Sequence, residues 1–301
     1  MSEAPIKVAI IGLDTSHSVE LPKLMADSTI APEFRMPGMI PTRALRFETP
    51  FQKKEGLDKR QAYLESIGVK VTEDFDTAVA DCDAILLVIN DGAFHREYFE
   101  KCAALGKPIF MDKPFADTLE NARMIRDIAA KNNARYFTCS CLRFCPGITA
   151  ARQAMPAPTE AFVWGPLGNA PAGSSIVWYG VHAVEMLESI LGKGAISVQL
   201  CEHGKGCFLN LNYADGRRGV ISLDRSSYQY GGLLRDGAAT PVKFDEIITT
   251  HFYRPMLVEI EKFFRGGEAP VAIEDSYEIM AILDAAEKSL HTRQPQAIYT
   301  F

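Results

Sequence analysis

The alternation of short apolar segments with helical segments over the first 140 residues is the feature of the sequence that most constrains the fold. The segments IKVAII (6–11) and DAILLVI (83–89) are continuously apolar and rich in β-branched residues, which is typical of strands buried on both faces of a parallel sheet. Further strands are predicted at 43–48, 108–112 and 135–140, and helices at 75–80, 96–106 and 118–133. This alternation predicts a doubly wound parallel sheet with helices on both faces.

The second half of the chain has a different periodicity. An amphipathic helix is predicted at 180–192. Apolar and polar residues then alternate in three segments, at 196–202, 207–213 and 219–224. Asp215–Gly216 is a typical hairpin turn between the last two segments. Two further helices are predicted, at 256–267 and 276–290. These features predict a mostly antiparallel sheet accompanied by helices.

A chain of 301 residues is long enough to form two domains, each with its own core. The change of periodicity predicts a boundary near residue 141. We therefore predict an α/β protein in which residues 1–141 form a Rossmann dinucleotide-binding domain with a doubly wound parallel sheet. Residues 142–301 are predicted to form an α/β domain with a large, mostly antiparallel open sheet.

The composition argues against several classes of partner. The net charge of −6 and the pI of about 5.6 disfavour nucleic acid, because phosphate binding needs a basic face. No apolar segment approaches the roughly 18 residues that span a bilayer, so no membrane partner is expected. The start MSEAPIKVAII lacks the features of a signal peptide, which predicts a cytoplasmic location. The cysteine cluster of Cys139, Cys141 and Cys145 has no second cluster to complete a zinc site, so no metal is predicted.

Several segments together resemble one known family. FHREYFEKCAALGKPIFMDKP (94–114) and GVHAVE (180–185), with the first strand and the closing helices, resemble the glucose-fructose oxidoreductase / inositol dehydrogenase family, called Gfo/Idh/MocA. The resemblance covers nearly the whole chain and implies a Rossmann domain followed by an α/β domain with a larger sheet. It also implies redox chemistry on sugars or cyclic polyols with NAD or NADP, and a homodimer or homotetramer. The resemblance further implies that residues 142–301 form the substrate-binding and oligomerisation domain. We expect the alternating Leu209, Leu211 and Tyr213 to offer a surface for such pairing.

The segment AIIGLDTSHS (9–18) lies where a Rossmann domain binds dinucleotide phosphates, but it departs from the usual glycine pattern. Gly12 stands at the first glycine position, Asp14 at the second and His17 at the third. A carboxylate at the second position would repel phosphate by about 4 kcal/mol, for unit charges about 4 Å apart at an effective dielectric constant near 20. The predicted cofactor-binding residues of this loop are Gly12, Asp14, Thr15, Ser16 and His17.

Two other interpretations of Asp14 stay open. Pro22 prefers the first turn of a helix, so the helix would begin near Ser18 or later. The longer loop would then bind phosphate through its hydroxyls and backbone amides, while Asp14 points elsewhere. Alternatively, the Asp14 carboxylate bonds backbone amides in the turn, as aspartates commonly do.

Other candidate cofactor residues lie at the ends of predicted strands. Glu48 could bind a ribose hydroxyl, which favours NAD, whereas Arg46 nearby keeps NADP open. An exposed strand-end glutamate without a ligand is an equal alternative. Asn90 and Asp91 end a predicted strand and should border the same cleft, and the resemblance implies a place near the nicotinamide for His95.

The segment MDKP contains the first candidate catalytic residue. Lys113 follows a buried strand, so its ammonium should emerge at the carboxyl end of the sheet, where doubly wound folds bind ligands. The resemblance implies that Lys113 helps a proton leave the substrate hydroxyl beside the nicotinamide, and that the peptide before Pro114, itself a predicted cofactor contact, is cis. A solvated lysine at a strand end is the alternative.

The segment WYGVHAVE contains the second candidate catalytic residue. The resemblance implies that His182 handles the proton while a hydride moves to the nicotinamide. The family commonly has an aspartate four residues earlier, where this chain has Trp178, whose face can stack on a sugar ring. The predicted substrate-binding residues are Arg143, Trp178, Tyr179, His182 and Glu185. For Arg143, a structural ion pair is an equal alternative.

The sequence thus predicts an NAD(P)-dependent oxidoreductase acting on a sugar or cyclic polyol-like substrate, with NAD slightly favoured over NADP. The alternative is a non-redox lyase or isomerase, or a ligand-sensing protein, on the same scaffold with weakened or lost dinucleotide binding. This alternative rests on Asp14, His17 and Trp178, which depart from the family at the cofactor loop and the proton relay.

Overall fold

The computed structural model describes residues 4–246, 248 and 251–299, and these form two compact units. The first unit is built from the described residues of Met1–Thr138 and Thr250–Ala272. The second is built from those of Cys139–Thr249 and Ile273–Phe301. The chain therefore first divides after Thr138, and one later segment belongs to the first unit rather than to a continuous C-terminal domain.

Strands and helices alternate along the first stretch of the first unit. They are β1 (Ile6–Ile11), α1 (His17–Ala26), β2 (Met39–Leu45), α2 (Lys54–Ser66), β3 (Lys70–Thr72), α3 (Phe75–Val79), β4 (Ala84–Leu87), α4 (His95–Ala103), β5 (Ile109–Met111), α5 (Leu119–Asn132) and β6 (Tyr136–Thr138). The strands pair in parallel in the order β3-β2-β1-β4-β5-β6. The predicted doubly wound sheet is confirmed, and its strand order reverses between β1 and β4, where such folds bind ligands.

Strand β2 begins earlier than the sequence predicts and ends before residue 46. The prediction placed this strand at 43–48, whereas the structure has it at Met39–Leu45. In the structure, Pro41 lies inside β2 beside a register shift between Val8 and Ala9 of β1, where the regular pairing is interrupted. Glu48 consequently lies beyond the strand, in the loop that leads to α2.

Helix α1 begins before the position that one interpretation of Asp14 requires. It begins at His17, with Ser16 as its N-cap, and Pro22 lies inside the helix rather than in its first turn. The loop between β1 and α1 is therefore short, as in an ordinary dinucleotide-binding turn.

The second unit contains a larger sheet. In chain order the remaining elements are α6 (Pro146–Ala154), β7 (Glu160–Pro166), a π-helical turn (Ile176–Gly180) that leads into α7 (Val181–Leu191), β8 (Ala195–His203), β9 (Gly206–Tyr213), β10 (Arg218–Asp224), β11 (Tyr230–Arg235), β12 (Val242–Glu246), α8 (Arg254–Phe264), α9 (Ile273–Thr292) and β13 (Gln296–Ala297). The strand order is β12-β11-β7-β10-β9-β8-β13, and neighbouring strands are antiparallel except for β7 and β10. The predicted mostly antiparallel sheet is confirmed.

The two faces of this sheet differ in burial. Leu209, Leu211 and Tyr213 of β9 are buried in the unit, so the expectation that they form a surface for pairing is wrong. The alternate residues of β9, among them Phe208, are exposed on the other face. Helix α9 covers part of the buried face, where the Ser289 hydroxyl accepts a hydrogen bond from the backbone amide of Leu200 in β8 (2.9 Å).

Helix α8 belongs to the first unit because its contacts lie there. The Arg135 guanidinium lies 4.8 Å from the centre of the Phe263 ring and donates to the carbonyls of Phe263 and Gly267. Arg265 donates to the carbonyl of Gly38, just before β2. Periodicity along the chain does not show which unit a helix joins. Among the described residues, no helix combines the length and apolar character needed to cross a bilayer.

Candidate active site

The loop between β1 and α1 keeps the first requirement of a dinucleotide-binding turn. Gly12 has φ of 104°, and a Cβ there would lie 2.7 Å from the Val88 carbonyl oxygen, so only glycine fits. The Thr15 hydroxyl accepts from the backbone amide of His17, and within the described chain the amides of Ser16 and Ser18 make no hydrogen bond. These amides, at the amino end of a ten-residue helix, are suited to an anion.

Asp14 is buried, and its carboxylate is directed at the neighbouring strand ends. Its two oxygens accept from the Thr49 hydroxyl (2.7 Å) and from the backbone amides of Asn90 (2.8 Å) and Asp91 (3.3 Å). This is closest to the interpretation in which Asp14 bonds backbone amides, although those amides belong to the loop after β4 rather than to its own turn. The carboxylate thus links the ends of β1, β2 and β4.

Positive charge lies next to this carboxylate. The Arg60 guanidinium, from α2, donates to the carbonyl of Leu13 (2.8 Å), and its charge interacts favourably with Asp14. The repulsion of phosphate expected for an isolated carboxylate is therefore reduced here.

His17, at the third glycine position, makes a buried ion pair. Its Nδ1 lies 2.6 Å from Oδ2 of Asp112, which directly follows β5. Burial raises the pKa of Asp112, but the charges of His17 and Lys113 and hydrogen bonds from both residues outweigh it and lower this pKa to about 2. The edge of the Tyr253 ring packs on the imidazole at 4.9 Å between ring centres. The pair connects the start of α1 to the end of β5.

Lys113 is the next residue, and its peptide bond to Pro114 is cis, as expected. Lys113 is only 4% exposed, yet within the part of the chain that the structure describes its ammonium makes no hydrogen bond or ion pair. Its place at the carboxyl end of β5 is where doubly wound sheets bind ligands.

Two of the predicted cofactor residues, Asp91 and His95, lie in or next to the loop after β4, and both make hydrogen bonds within the protein. The Asp91 side chain accepts from the amide of Ala93, and burial raises the pKa of Asp91 more than this bond lowers it. His95 is fully buried, with Nε2 2.8 Å from the Ile89 carbonyl and Nδ1 3.2 Å from the Phe115 carbonyl. Because both ring nitrogens face protein carbonyls, neither is left for a ligand. His95 therefore holds the loop in place and is not a cofactor contact in this structure.

The predicted ribose-binding region lies after β2. Glu48 is exposed, as a residue that meets a ligand would be. The side chain of Arg46 is only 11% exposed and donates to Gln61 (2.6 Å) and to Asp58 in an ion pair. Arg46 is thus held against α2 by its own partners.

His182 lies in the first turn of α7, in the second unit. Its Nδ1 is 2.7 Å from the hydroxyl oxygen of Ser140, and both residues are buried. The edges of Tyr179 and Tyr230 pack against the ring, with centres 5.4 and 5.9 Å away. These contacts fix the plane of the imidazole.

Arg143 and Glu185 were predicted to bind substrate, and the structure shows the ion-pair alternative instead. The buried guanidinium of Arg143 donates through Nε to Glu185 and contacts Glu188 through Nη2. Burial raises the pKa of Glu185 more than the Arg143 charge lowers it. Since the carboxylates occupy the guanidinium inside the unit, Arg143 and Glu185 form part of its core.

Trp178 and Tyr179 lie in the π-helical turn before α7. Gly168 has φ of 66°, and a Cβ there would lie 2.9 Å from the Trp178 ring, so the indole packs on backbone. The rings of Trp178 and Tyr179 meet edge to face at 4.9 Å. Burial raises the pKa of the Tyr179 hydroxyl more than its hydrogen bond with Tyr230 lowers it. Both aromatic residues remain half-buried, which leaves part of each ring accessible.

The hydrogen-bond partners of Asp14, His17 and His182 include three residues that were not predicted: Thr49, Asp112 and Ser140. Asp112 and Ser140 follow β5 and β6, so their position at the carboxyl ends of parallel strands could have indicated them. Their partners are 95 and 42 residues away in the chain, which no local pattern indicates. Thr49 lies in an irregular loop and carries no such signal.

These features define a dinucleotide-binding α/β unit joined to a second unit with a mostly antiparallel sheet. Residues 6–139 match the GFO_IDH_MocA family, described as an oxidoreductase family with an NAD-binding Rossmann fold. The match covers the first unit up to the start of the second, and it agrees with the doubly wound sheet of that unit. An uncharacterized oxidoreductase of Streptococcus pneumoniae serotype 4 is 28% identical over 100 residues, a match that spans 32% of this chain and only 26% of that protein.

Solved structures of similar fold cover both units. Apo scyllo-inositol dehydrogenase of Lactobacillus casei has a TM-score of 0.81 at 14% identity, covering 99% of each chain. Myo-inositol dehydrogenase of the same organism, in complex with NAD(H) and myo-inositol, has a TM-score of 0.77 at 16% identity, covering 99% of this chain and 98% of that one. GenD2 from gentamicin A biosynthesis, in complex with NAD, has a TM-score of 0.80 at 15% identity, covering 100% and 98%. At these identities the likeness is one of fold.

Proposed function

We propose that this protein is an NAD(P)-dependent oxidoreductase that acts on a CH–OH group of a sugar or cyclic polyol-like substrate. One observation carries the proposal: the buried ammonium of Lys113, without a hydrogen bond or ion pair among the described residues, at the carboxyl end of β5. A buried lysine of this kind is suited to exchange a proton with a bound oxygen atom. The match of residues 6–139 to an oxidoreductase family with an NAD-binding Rossmann fold supports the redox class.

The residues of the first loop fit a dinucleotide. Gly12 allows close approach of the backbone, and the amides of Ser16 and Ser18 are directed from the amino end of α1. A bound nicotinamide would accept or deliver a hydride. We favour NAD over NADP, because Arg46 is engaged by its own partners while the exposed Glu48 can accept from a ribose hydroxyl.

We assign Lys113 to exchange a proton with a substrate oxygen, and His182 to bind the substrate through its imidazole. The accessible parts of Trp178 and Tyr179 offer aromatic faces for the apolar side of a sugar or cyclitol ring. The inositol dehydrogenases among the structural neighbours support a small polyol as the substrate class.

The first experiment is a calorimetric titration of cofactor-stripped protein with NADH and then NADPH. We expect micromolar binding, tighter for NADH, followed by polyol-dependent reduction of NAD. A folded protein that binds neither dinucleotide would refute the proposal and favour a ligand sensor. Cofactor that stays bound without exchanging during turnover would favour a lyase or isomerase instead.

Lys113→Met is the matched variant for this experiment. It keeps the length of the side chain but removes the buried ammonium, so turnover should be lost while the thermal midpoint stays the same or rises. Retained turnover would remove Lys113 from the reaction. Loss of both turnover and folding would show instead that the ammonium has a structural partner.

We also propose that the protein is a homodimer or homotetramer. The support is the outward face of the seven-stranded sheet, where Phe208 is exposed on β9 and Ile196 on β8. Light scattering combined with size-exclusion chromatography tests this, and a monomer at micromolar concentration would contradict it.

A further inference from the structure

The Ser140 hydroxyl and the His182 imidazole form a buried pair within the second unit. Ser140 lies two residues after the end of β6, and its hydroxyl oxygen is 2.7 Å from Nδ1 of His182. The Ser140 side chain also caps the short helix that follows it, because its hydroxyl accepts from the backbone amide of Leu142.

The hydrogen bonds of Ser140 determine which atom of the pair donates. The hydroxyl oxygen already accepts from the backbone amide of Leu142 (3.3 Å). Among the described residues, Nδ1 of His182 is the sole acceptor in reach of the hydroxyl hydrogen. If Nδ1 carried a proton and donated instead, the hydroxyl hydrogen would be buried without an acceptor, which is the unfavourable arrangement.

We infer that Ser140 donates to Nδ1 and fixes neutral His182 as the Nε2–H tautomer, so that Nε2 of His182 is a hydrogen-bond donor and not a base. Trp178 stands where the family commonly has an aspartate, and an indole cannot accept a hydrogen bond from Nδ1. In this chain the hydrogen-bond partner of Nδ1 is Ser140, which lies outside the helix that contains His182. Ser140 is thus a positioning residue for His182.

If the proposed function holds, Lys113 and His182 have different roles: Lys113 transfers the proton, and His182 donates a hydrogen bond. A bound oxidised nicotinamide would take the hydride from the substrate carbon, and the neutral amine of Lys113 would take the proton of the substrate hydroxyl. A His182 ring in this tautomer can donate from Nε2 to a substrate oxygen without gaining or losing a proton. In reduction, the Lys113 ammonium returns the proton to the oxygen.

The direct test is NMR spectroscopy of the wild-type protein carrying nitrogen-15-labelled histidine. The chain has six histidines, and the His182 ring is assigned by its loss in the spectrum of His182→Gln. At a pH where the ring is neutral, long-range proton–nitrogen correlations should show the bonded proton on Nε2 and an unprotonated Nδ1. A proton on Nδ1 would overturn the inference. This measurement needs neither cofactor nor substrate, so its outcome is separate from that of the proposed function.

Two variants connect the tautomer to activity. Ser140→Ala removes the donor, so the His182 nitrogens should shift toward a mixture of tautomers, kcat should fall about tenfold, and the pH profile of kcat should move. Ser140→Thr keeps a hydroxyl and should restore both the spectrum and the pH profile. An unchanged spectrum and pH profile in Ser140→Ala would overturn the positioning role, even if kcat fell.

Discussion

Replacing Asp14 with alanine tests whether the second glycine position has become a structural link or an obstacle to phosphate. The wild-type carboxylate accepts from the Thr49 hydroxyl and from the amides of Asn90 and Asp91, and so connects three strand ends. The variant leaves these three donors without their acceptor. We therefore expect Asp14→Ala to destabilise the first unit and not to tighten dinucleotide binding.

The size of the effect follows from these three bonds. A hydrogen bond to a charged group contributes about 1.5–3 kcal/mol, but the contributions to one acceptor are not additive. In the variant, water can replace the carboxylate as the acceptor for the Asn90 amide, because Asn90 is only half-buried, and this reduces the loss of stability. We expect a loss of about 3 kcal/mol, which corresponds to a fall of about 6–12 °C in the thermal midpoint of a domain of this size.

The assay combines thermal unfolding of cofactor-free protein with calorimetric titration by NADH. Thr49→Val is the matched control, since it removes one of the three donors and should cost about 1 kcal/mol. In the double variant, Thr49→Val should add little to Asp14→Ala, because the acceptor is already gone. An unchanged midpoint in Asp14→Ala, together with tighter NADH binding, would show that the carboxylate faces the ligand.

Three further predictions follow from burial and backbone geometry. Arg143→Met should lower the free energy of unfolding by about 3–5 kcal/mol, because it leaves the carboxylates of Glu185 and Glu188 buried without a cation. Glu185→Gln should change it by less than about 1 kcal/mol, because Glu188 still pairs with Arg143. Equal thermal midpoints in the two variants would refute the structural role of Arg143. The pKa of Asp112 lies below its ordinary 3.8, so its contribution is present above that value and is lost as the pH falls toward about 2, and acid unfolding of Asp112→Asn should lack this loss. Gly12→Ala should destabilise the loop by about 1–3 kcal/mol and weaken NADH binding at least tenfold by titration, because a Cβ meets the Val88 carbonyl.

The sequence predicts the parts of the fold in which local pattern and burial agree. β1 and β4 are buried on both faces, so their continuous apolar runs identify them as parallel strands. Helix α2 was not predicted because only Leu57 and Leu64 are buried along its thirteen residues. β11 was not predicted because it contains Gly231 and Gly232, which suit close packing against aromatic side chains of neighbouring strands rather than high strand propensity.

In the candidate site, too, the features that depend on local sequence could be predicted, and those that depend on distant residues could not. The position of Lys113 after a buried strand could be predicted, because it needs only the strand and the direction of the chain. Whether Arg143 meets a ligand or an ion pair could not be, because the answer depends on how α7 packs on the turn after β6. The tautomer of His182 depends likewise on Ser140, a residue of a separate element.

The two departures from the glycine pattern have one physical consequence in common. A glycine at the second or third position leaves room, whereas Asp14 and His17 replace that room with hydrogen bonds to the ends of β4 and β5. Such bonds are formed before any ligand arrives, so the loop has less conformational entropy to lose on binding than a glycine-rich loop has. A dinucleotide can then bind with useful affinity although two glycines are absent, because the loop is already ordered and the Asp14 charge is turned toward backbone amides. Asp14 and His17 are therefore compatible with a loop that binds a cofactor. In the proposed function, Lys113 at the end of β5 is the residue that transfers the proton in the reaction of that cofactor.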